Sequence, residues 1–181
     1  REMFELGASL NATERTLTAL TGSAANAKAE LAFVRSEARV LGLNVQESAA
    51  QYAGFINATQ GTQLREHARG LFSDVTRSLT ALGRSGEQIQ SVMRQTGQIL
   101  NTGRIQSDEL HSIADAGIPI WNELLNAVRS TDASMRNFSM EDLRKEIETG
   151  ALGAEGIILA FDRVADRLGG AVVAATASSE V

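Results

Sequence analysis

Residues 82–110 read LGRSGEQIQSVMRQTGQILNTGRIQSDEL, and they hold one whole helix with its stop signals together with the start of the next. Ser85 is placed to cap a helix whose positions Ile89, Val92, Met93, Thr96, Ile99 and Leu100 fall on one face. Gly103 supplies the left-handed residue that ends it. Ser107 reads as the next cap. Asp108 and Glu109 follow in a first turn where the helix dipole favours acids, and Leu110 and Ile113 open a second buried stripe.

The same grammar runs outward in both directions. The first twenty residues read as a helix with Met3, Phe4, Leu6, Leu10, Leu17 and Leu20 to one side, closed by Thr21-Gly22-Ser23. A second helix from Ala24 carries Ala27, Leu31, Val34, Ala38 and Leu41 as a coiled-coil-like seam, and Gly42 stops it. Asn44 with Glu47 has the spacing of a capping box before Val45, Ala49, Tyr52, Phe55 and Ile56. After Gln60-Gly61-Thr62, the apolar positions Leu64, Ala68, Leu71, Phe72, Val75, Leu79 and Leu82 predict a fourth helix of about 20 residues, roughly 30 Å long. Beyond Gly117, Pro119 suits the first turn of a helix burying Ile120, Trp121, Leu124, Leu125 and Val128. Ser139 caps a short helix with Met140, Leu143 and Ile147 inward and a Glu141–Lys145 pair outward, ended by Gly150. The expected fold is all-α: a compact array of about eight or nine short helices, broken at Gly22, Gly42, Gly61, Gly83, Gly103, Gly117 and Gly150.

Composition agrees with closely packed helices. Among 181 residues there is one proline and no cysteine, which excludes a disulfide framework and thiolate metal sites. Aromatics are 4% against 43% hydrophobic, so the core is Ala, Leu, Ile and Val. The net charge of −5 divides into −1 for residues 1–117 and −4 for 118–181. Without a basic patch or interleaved aromatics, no nucleic-acid site is expected. The longest near-apolar run, 169–177, falls far short of the roughly 20 residues of a membrane span. No signal peptide is read at the start, and the opening Arg1 suggests a piece of a longer protein.

Residues 102–110 align with 149–157, and Leu41-Gly42 with Glu47 aligns with Leu82-Gly83 and Glu87. The two offsets differ, so the likeness fits either a helical-hairpin array or shared helix-end grammar. Chemistry-bearing constellations are sparse. Glu47-Ser48 matches the Glu-Ser of lytic transglycosylases, but no Gly-Leu-Met-Gln segment follows, and Glu47 already serves as a capping acid. His67 and His111 lie mid-helix, no Gly-x-Ser-x-Gly elbow occurs, and His111 with Asp108 and Asp115 makes one solvated helical face. No catalytic residue, cofactor or metal site is assigned, and the chain is expected not to be an enzyme. Trp121, Tyr52 and the phenylalanines read as core anchors.

The succession LGLNVQESAAQYAGFINATQGTQL, LFSDVTRSLTALGRSGEQIQSVMRQTGQILNTGRIQSDELHSIADAGIPIW and FSMEDLRKEIETGALGAE resembles the tape-measure domain of tailed-phage tail length-determining proteins. The resemblance covers roughly Ala24 to Ala165. It rests on Leu82-Gly83 before a cap, the Ile-Leu-x-x-Gly ending at Gly103, Glu109-Leu110, Ile118-Pro119 and a short helix ending at Gly150. Asn137-Phe138-Ser139 stands where the family pattern has Gly-x-Ser or Gly-Val-Ser. The resemblance implies a structural protein of a phage or prophage virion tail, assembled in the bacterial host cytoplasm. Implied partners are other tail proteins: tail tube, tail chaperone, and baseplate or tip. A bacterial helical adaptor or scaffold is the alternative, and a cell-wall-cleaving tail module a second one.

The last helix, from about Ala154, spaces Ile157, Phe161, Val164, Leu168 and Val172 as an amphipathic seam, flanked by Arg163 and Asp166. We expect residues 1–165 to form the helical module and 166–181 a C-terminal helix extension, with Gly169-Gly170 as a joint and self-association along the seam. Leu71→Asp places a carboxylate in the fourth helix's buried stripe. It is expected to cost several kcal/mol; a melting temperature within a few degrees of the parent would show the stripe to be misplaced.

Overall fold

The structure is a computed structural model that describes the backbone of residues 2–179 and the side chains of 10–169. Met3, Phe4, Leu6 and Val172, each counted into an apolar stripe above, lie outside the described side chains. Among the described residues are nine α-helices and no strand: α1 (Glu2–Thr21), α2 (Ala24–Leu41), α3 (Val45–Thr59), α4 (Ala68–Ala81), α5 (Gly86–Thr102), α6 (Ser107–Asp115), α7 (Ile120–Thr131), α8 (Met140–Glu148) and α9 (Glu155–Ser179). The all-α array is therefore as expected.

Each of the seven expected glycine breakers has positive φ, between 68° and 89°. At Gly42 (φ 71°) the left-handed turn lets the Leu43 N–H reach the Ala38 carbonyl at 2.8 Å, satisfying a group the helix end would leave orphaned. Helix starts are equally specific. The Ser85 and Ser139 hydroxyls accept from the Gln88 and Asp142 N–H groups, and those side chains bond back to the cap N–H in full capping boxes. Asn44 accepts from the Glu47 N–H at 2.9 Å.

Four local expectations differ from the structure. The fourth helix does not begin at Leu64: residues Gln63–His67 form a 3₁₀ turn after Thr62, whose hydroxyl accepts from the Leu64 N–H, and only Ala68–Ala81 are α-helical. Ser107 is not a cap. Gln106 holds that position without a side-chain bond, because its extended backbone is set by the segment before it. Pro119 caps α7 rather than entering its first turn. Trp121 is only half-buried, its ring covered by Arg144 at 4.4 Å from the centroid instead of by the core.

The chain divides into two compact units, Arg1–Arg69 and Gly70–Val181. In the first, α1, α2 and α3 pack pairwise. Leu17, Ala27, Val34, Ala49, Tyr52, Phe55 and Ile56 are all within 1% of complete burial. In the second, α7 lies along α9, α5 packs on α6, and α6, α7 and α8 meet one another. The two stretches that align in sequence also pair in space here. Arg104 and Gly153 form an isolated antiparallel bridge, with Ile105 N–H donating to Leu152 O at 2.9 Å and Ala154 N–H to Gly103 O at 3.0 Å. Each stretch ends one helix at a left-handed glycine, runs extended, and starts the next.

The bridge brings α9 close to its neighbours at Gly156, where a Cβ would stand 3.0 Å from Ile105 Cδ1 and 3.2 Å from Leu124 Cδ1. Gly156→Leu should overpack this point and cost about 1–3 kcal/mol. Thermal unfolding measures it, and an unchanged melting temperature would mean that the approach of α9 to α7 is looser than described.

Candidate functional site

Among the described residues three glutamates are buried, Glu30, Glu109 and Glu123, and two of them, one in each unit, gather arginines. Glu123 lies in the first turn of α7, on the same face as Ile120, Leu124 and Ala127, and is fully buried. Arg163 Nε on α9 donates to Oε2 at 3.1 Å. Arg167 Nε, one helical turn on, lies 3.1 Å from Oε1, an ion pair whose alignment falls short of a hydrogen bond. The two arginine side chains are 40% and 64% exposed, so they reach inward from the solvent edge and the carboxylate alone bears full desolvation.

In the first unit the carboxylate is Glu30 of α2, with a side chain 10% exposed. Arg69 grips it with a two-pronged fork, Nε to Oε2 at 3.2 Å and Nη2 to Oε1 at 3.0 Å. The hydroxyl of buried Tyr52 on α3 donates to the same Oε2. Arg65 Nη2 stands off at 3.5 Å from Oε1. Phe33 completes the cluster, edge-on to Tyr52 with ring centroids 5.3 Å apart and beneath the Arg69 guanidinium at 5.2 Å. Burial alone would raise the Glu30 pKa, but the bonds from Arg69 and Tyr52 and the charges of Arg69 and Arg65 outweigh it and hold the carboxyl below its ordinary value. Tyr52 moves up, first through burial and then because its hydroxyl is committed to an anion.

Of the expected seam, Ile157, Phe161 and Val164 are completely buried along α9, Leu168 is half-buried, and Val172 lies outside the described side chains. Arg163 is turned to Glu123. Helix α9 runs unbroken through Gly169 and Gly170. Glu47 and Ser48 sit at the start of α3, Glu47 exposed and Ser48 buried. His67 is exposed beside Glu66, and exposed His111 lies against Trp121 with ring centroids 5.3 Å apart. Asp108 and Asp115 are exposed as well, and among the described residues no three His, Cys, Asp or Glu side chains converge to hold a metal ion. Neither of the two arginine-bound carboxylates is placed in the interior by the sequence reading above. The signal was a glutamate inside an apolar stripe at 123, and arginines one turn apart at 65 and 69 and at 163 and 167.

Capped helices, left-handed glycine breaks and two arginine-bound buried carboxylates define an all-α module of two compact units. The chain belongs to the tape measure protein family, whose model matches residues 1–180. It is thus a tape-measure module of a phage tail. No curated protein and no solved structure matches it. Among the described residues no helix is long and apolar enough to cross a membrane.

The clamps make asymmetric predictions. Glu123→Met keeps volume and frees two arginines that can turn to water, so thermal stability should change little. Arg163→Ala combined with Arg167→Ala strands a buried carboxylate and should cost about 3–5 kcal/mol; equal losses from the two changes would overturn this account. Because the folded pKa of Glu30 is lowered, its contribution is complete above the ordinary value of 4.5 and is lost as pH falls through the lower folded value. Urea unfolding across that window should lose this slope in Glu30→Gln. The chain has a single tyrosine, so absorbance at alkaline pH reports Tyr52 alone. It should ionise above the ordinary 10.0 and shift down in Glu30→Gln.

Proposed function

We propose that these residues act in tail assembly and length determination as a compact, folded module of the tape measure, and not as its contour-measuring stretch. The family match over residues 1–180 carries the reading. The helix lengths refine it. As one uninterrupted helix the chain would span about 270 Å, whereas α9, at 25 residues the longest helix described, spans about 38 Å. Seven left-handed glycines fold the chain back, and a ruler read by contour gains nothing from folding back. The partners proposed are the other tail proteins, namely tail tube, tail chaperone, and baseplate or tip, and the location is the virion tail after assembly in the host cytoplasm. No catalytic step is assigned to the module.

Residues 1–165 serve in this reading as the module and 166–181 as the extension of α9 beyond it. Self-association is proposed along that extension, beginning at Leu168, since Ile157, Phe161 and Val164 are occupied within the second unit's core.

In-frame removal of residues 1–180 from the phage that encodes them should abolish normal tails in electron micrographs; parental tails with parental infectivity would overturn the assembly role. Sedimentation of the chain over a wide concentration range should show concentration-dependent association that Leu168→Glu weakens. A monomer throughout would remove the self-association proposal and leave the assembly role standing.

A further inference from the structure

We propose that a cavity in the first unit is a receptor for one carboxylate presented by a partner protein. The cavity measures about 410 Å³ and is lined by Thr21, Asn26, Glu30, Gln60, Arg65 and Arg69, all of them within residues 1–69. Its charge balance points to the occupant. Two guanidiniums and one carboxylate meet there, and both carboxylate oxygens already accept hydrogen bonds: Arg69 donates to each and Tyr52 adds a third donor. Arg69 is further committed by its place over the Phe33 ring. Arg65 has no such commitment. Its nearest approach to Glu30 is a single 3.5 Å ion pair to an oxygen that Arg69 already holds at 3.0 Å, and its side chain remains 30% exposed. A guanidinium offers five N–H donors in a fixed fork that matches a carboxylate.

The surrounding polar groups are held in place and do not compete for that charge. The Gln60 amide donates to Leu20 O at 2.7 Å and the Asn26 amide to Thr21 O at 3.4 Å, which fixes both side chains in the cavity lining. Asn26 lies in the first turn of α2, behind the Ser23 cap, where the helix end adds positive potential. The surplus at the floor of the cavity is one positive charge beside a buried anion. A monovalent carboxylate neutralises it, whereas the dianion of phosphate would overshoot and repel Glu30 more strongly. The occupant is therefore an Asp or Glu side chain, or a chain terminus, of a protein partner, and the site would take it whether or not that partner is a tail protein.

The test follows the arginine Nε–H resonances of the whole chain by NMR at constant ionic strength. The probes are N-acetylglutamate amide, which presents only a side-chain carboxylate, acetylglycylglycine, which presents only a chain terminus, and inorganic phosphate. Saturable shifts at Arg65 with at least one carboxylate probe, stronger than with phosphate, are expected, and the stronger carboxylate probe identifies the source. Arg65→Gln should abolish them while the melting temperature stays within a few degrees, because Arg69 and Tyr52 still donate to Glu30. Arg65→Lys keeps the charge and loses the fork, and should weaken binding several-fold. Absence of saturation at high millimolar probe, tighter binding of phosphate, or shifts that persist in both Arg65 variants would overturn the proposal.

Discussion

An alanine- and leucine-rich chain with one proline has no strong reason to stop being helix, and what stops it is the left-handed residue. An L side chain in that conformation is strained, so glycine is the inexpensive way to reverse direction at a helix end. Everything above the single helix depends on these reversals. Glu30 meets Arg65 and Arg69 only because the chain turns at Gly42 and Gly61, and Glu123 meets Arg163 and Arg167 only after the turn at Gly150. Where the turn at Gly103 leads into an extended segment, the glycine's own carbonyl is taken by Ala154, so a helix end and a bridge are made by the same residue.

Features fixed within a few residues were legible in the sequence. A left-handed glycine, a serine cap or an apolar period of three and four is decided locally, which is why the breaks and most of the buried faces could be read directly. Features decided by distant partners were not. Residues 63–67 have helical composition, yet they form a 3₁₀ turn whose Arg65 faces Glu30, thirty-five positions away. Ser107 has the chemistry of a cap, but the bridge at Arg104, with the Ile105 N–H bonded to Leu152 O, keeps the backbone extended up to Gln106, which takes the position. Trp121 was read by hydrophobicity alone; its ring is large enough to serve as a platform for Arg144 and His111 and need not be submerged.

The two arginine-bound carboxylates were the least legible, because a glutamate in an apolar stripe is an error by pattern and acquires meaning only from its partner. Their use is better described as specification than as stability. An apolar residue of similar size does about as well for stability in such positions, whereas a buried carboxylate stripped of its partners is strongly destabilising. A carboxylate that is costly to leave unpaired accepts only the rotation that presents arginines. Both units reach the same solution, with two arginines four residues apart closing over a glutamate on an earlier helix.

For α9 that specification has a directional consequence. The helix is submerged at Ile157, Ala160, Phe161 and Val164, and it is then accessible from Ala165 to Gly169. Arg163 and Arg167 straddle this change. The ion pairs therefore stand where the helix stops being core, and they fix its rotation about its own axis at that point. Helix is stiff over such a length, so the rotation set at Glu123 is carried down α9, and whichever face Leu168 presents is decided by the clamp rather than by Leu168 itself.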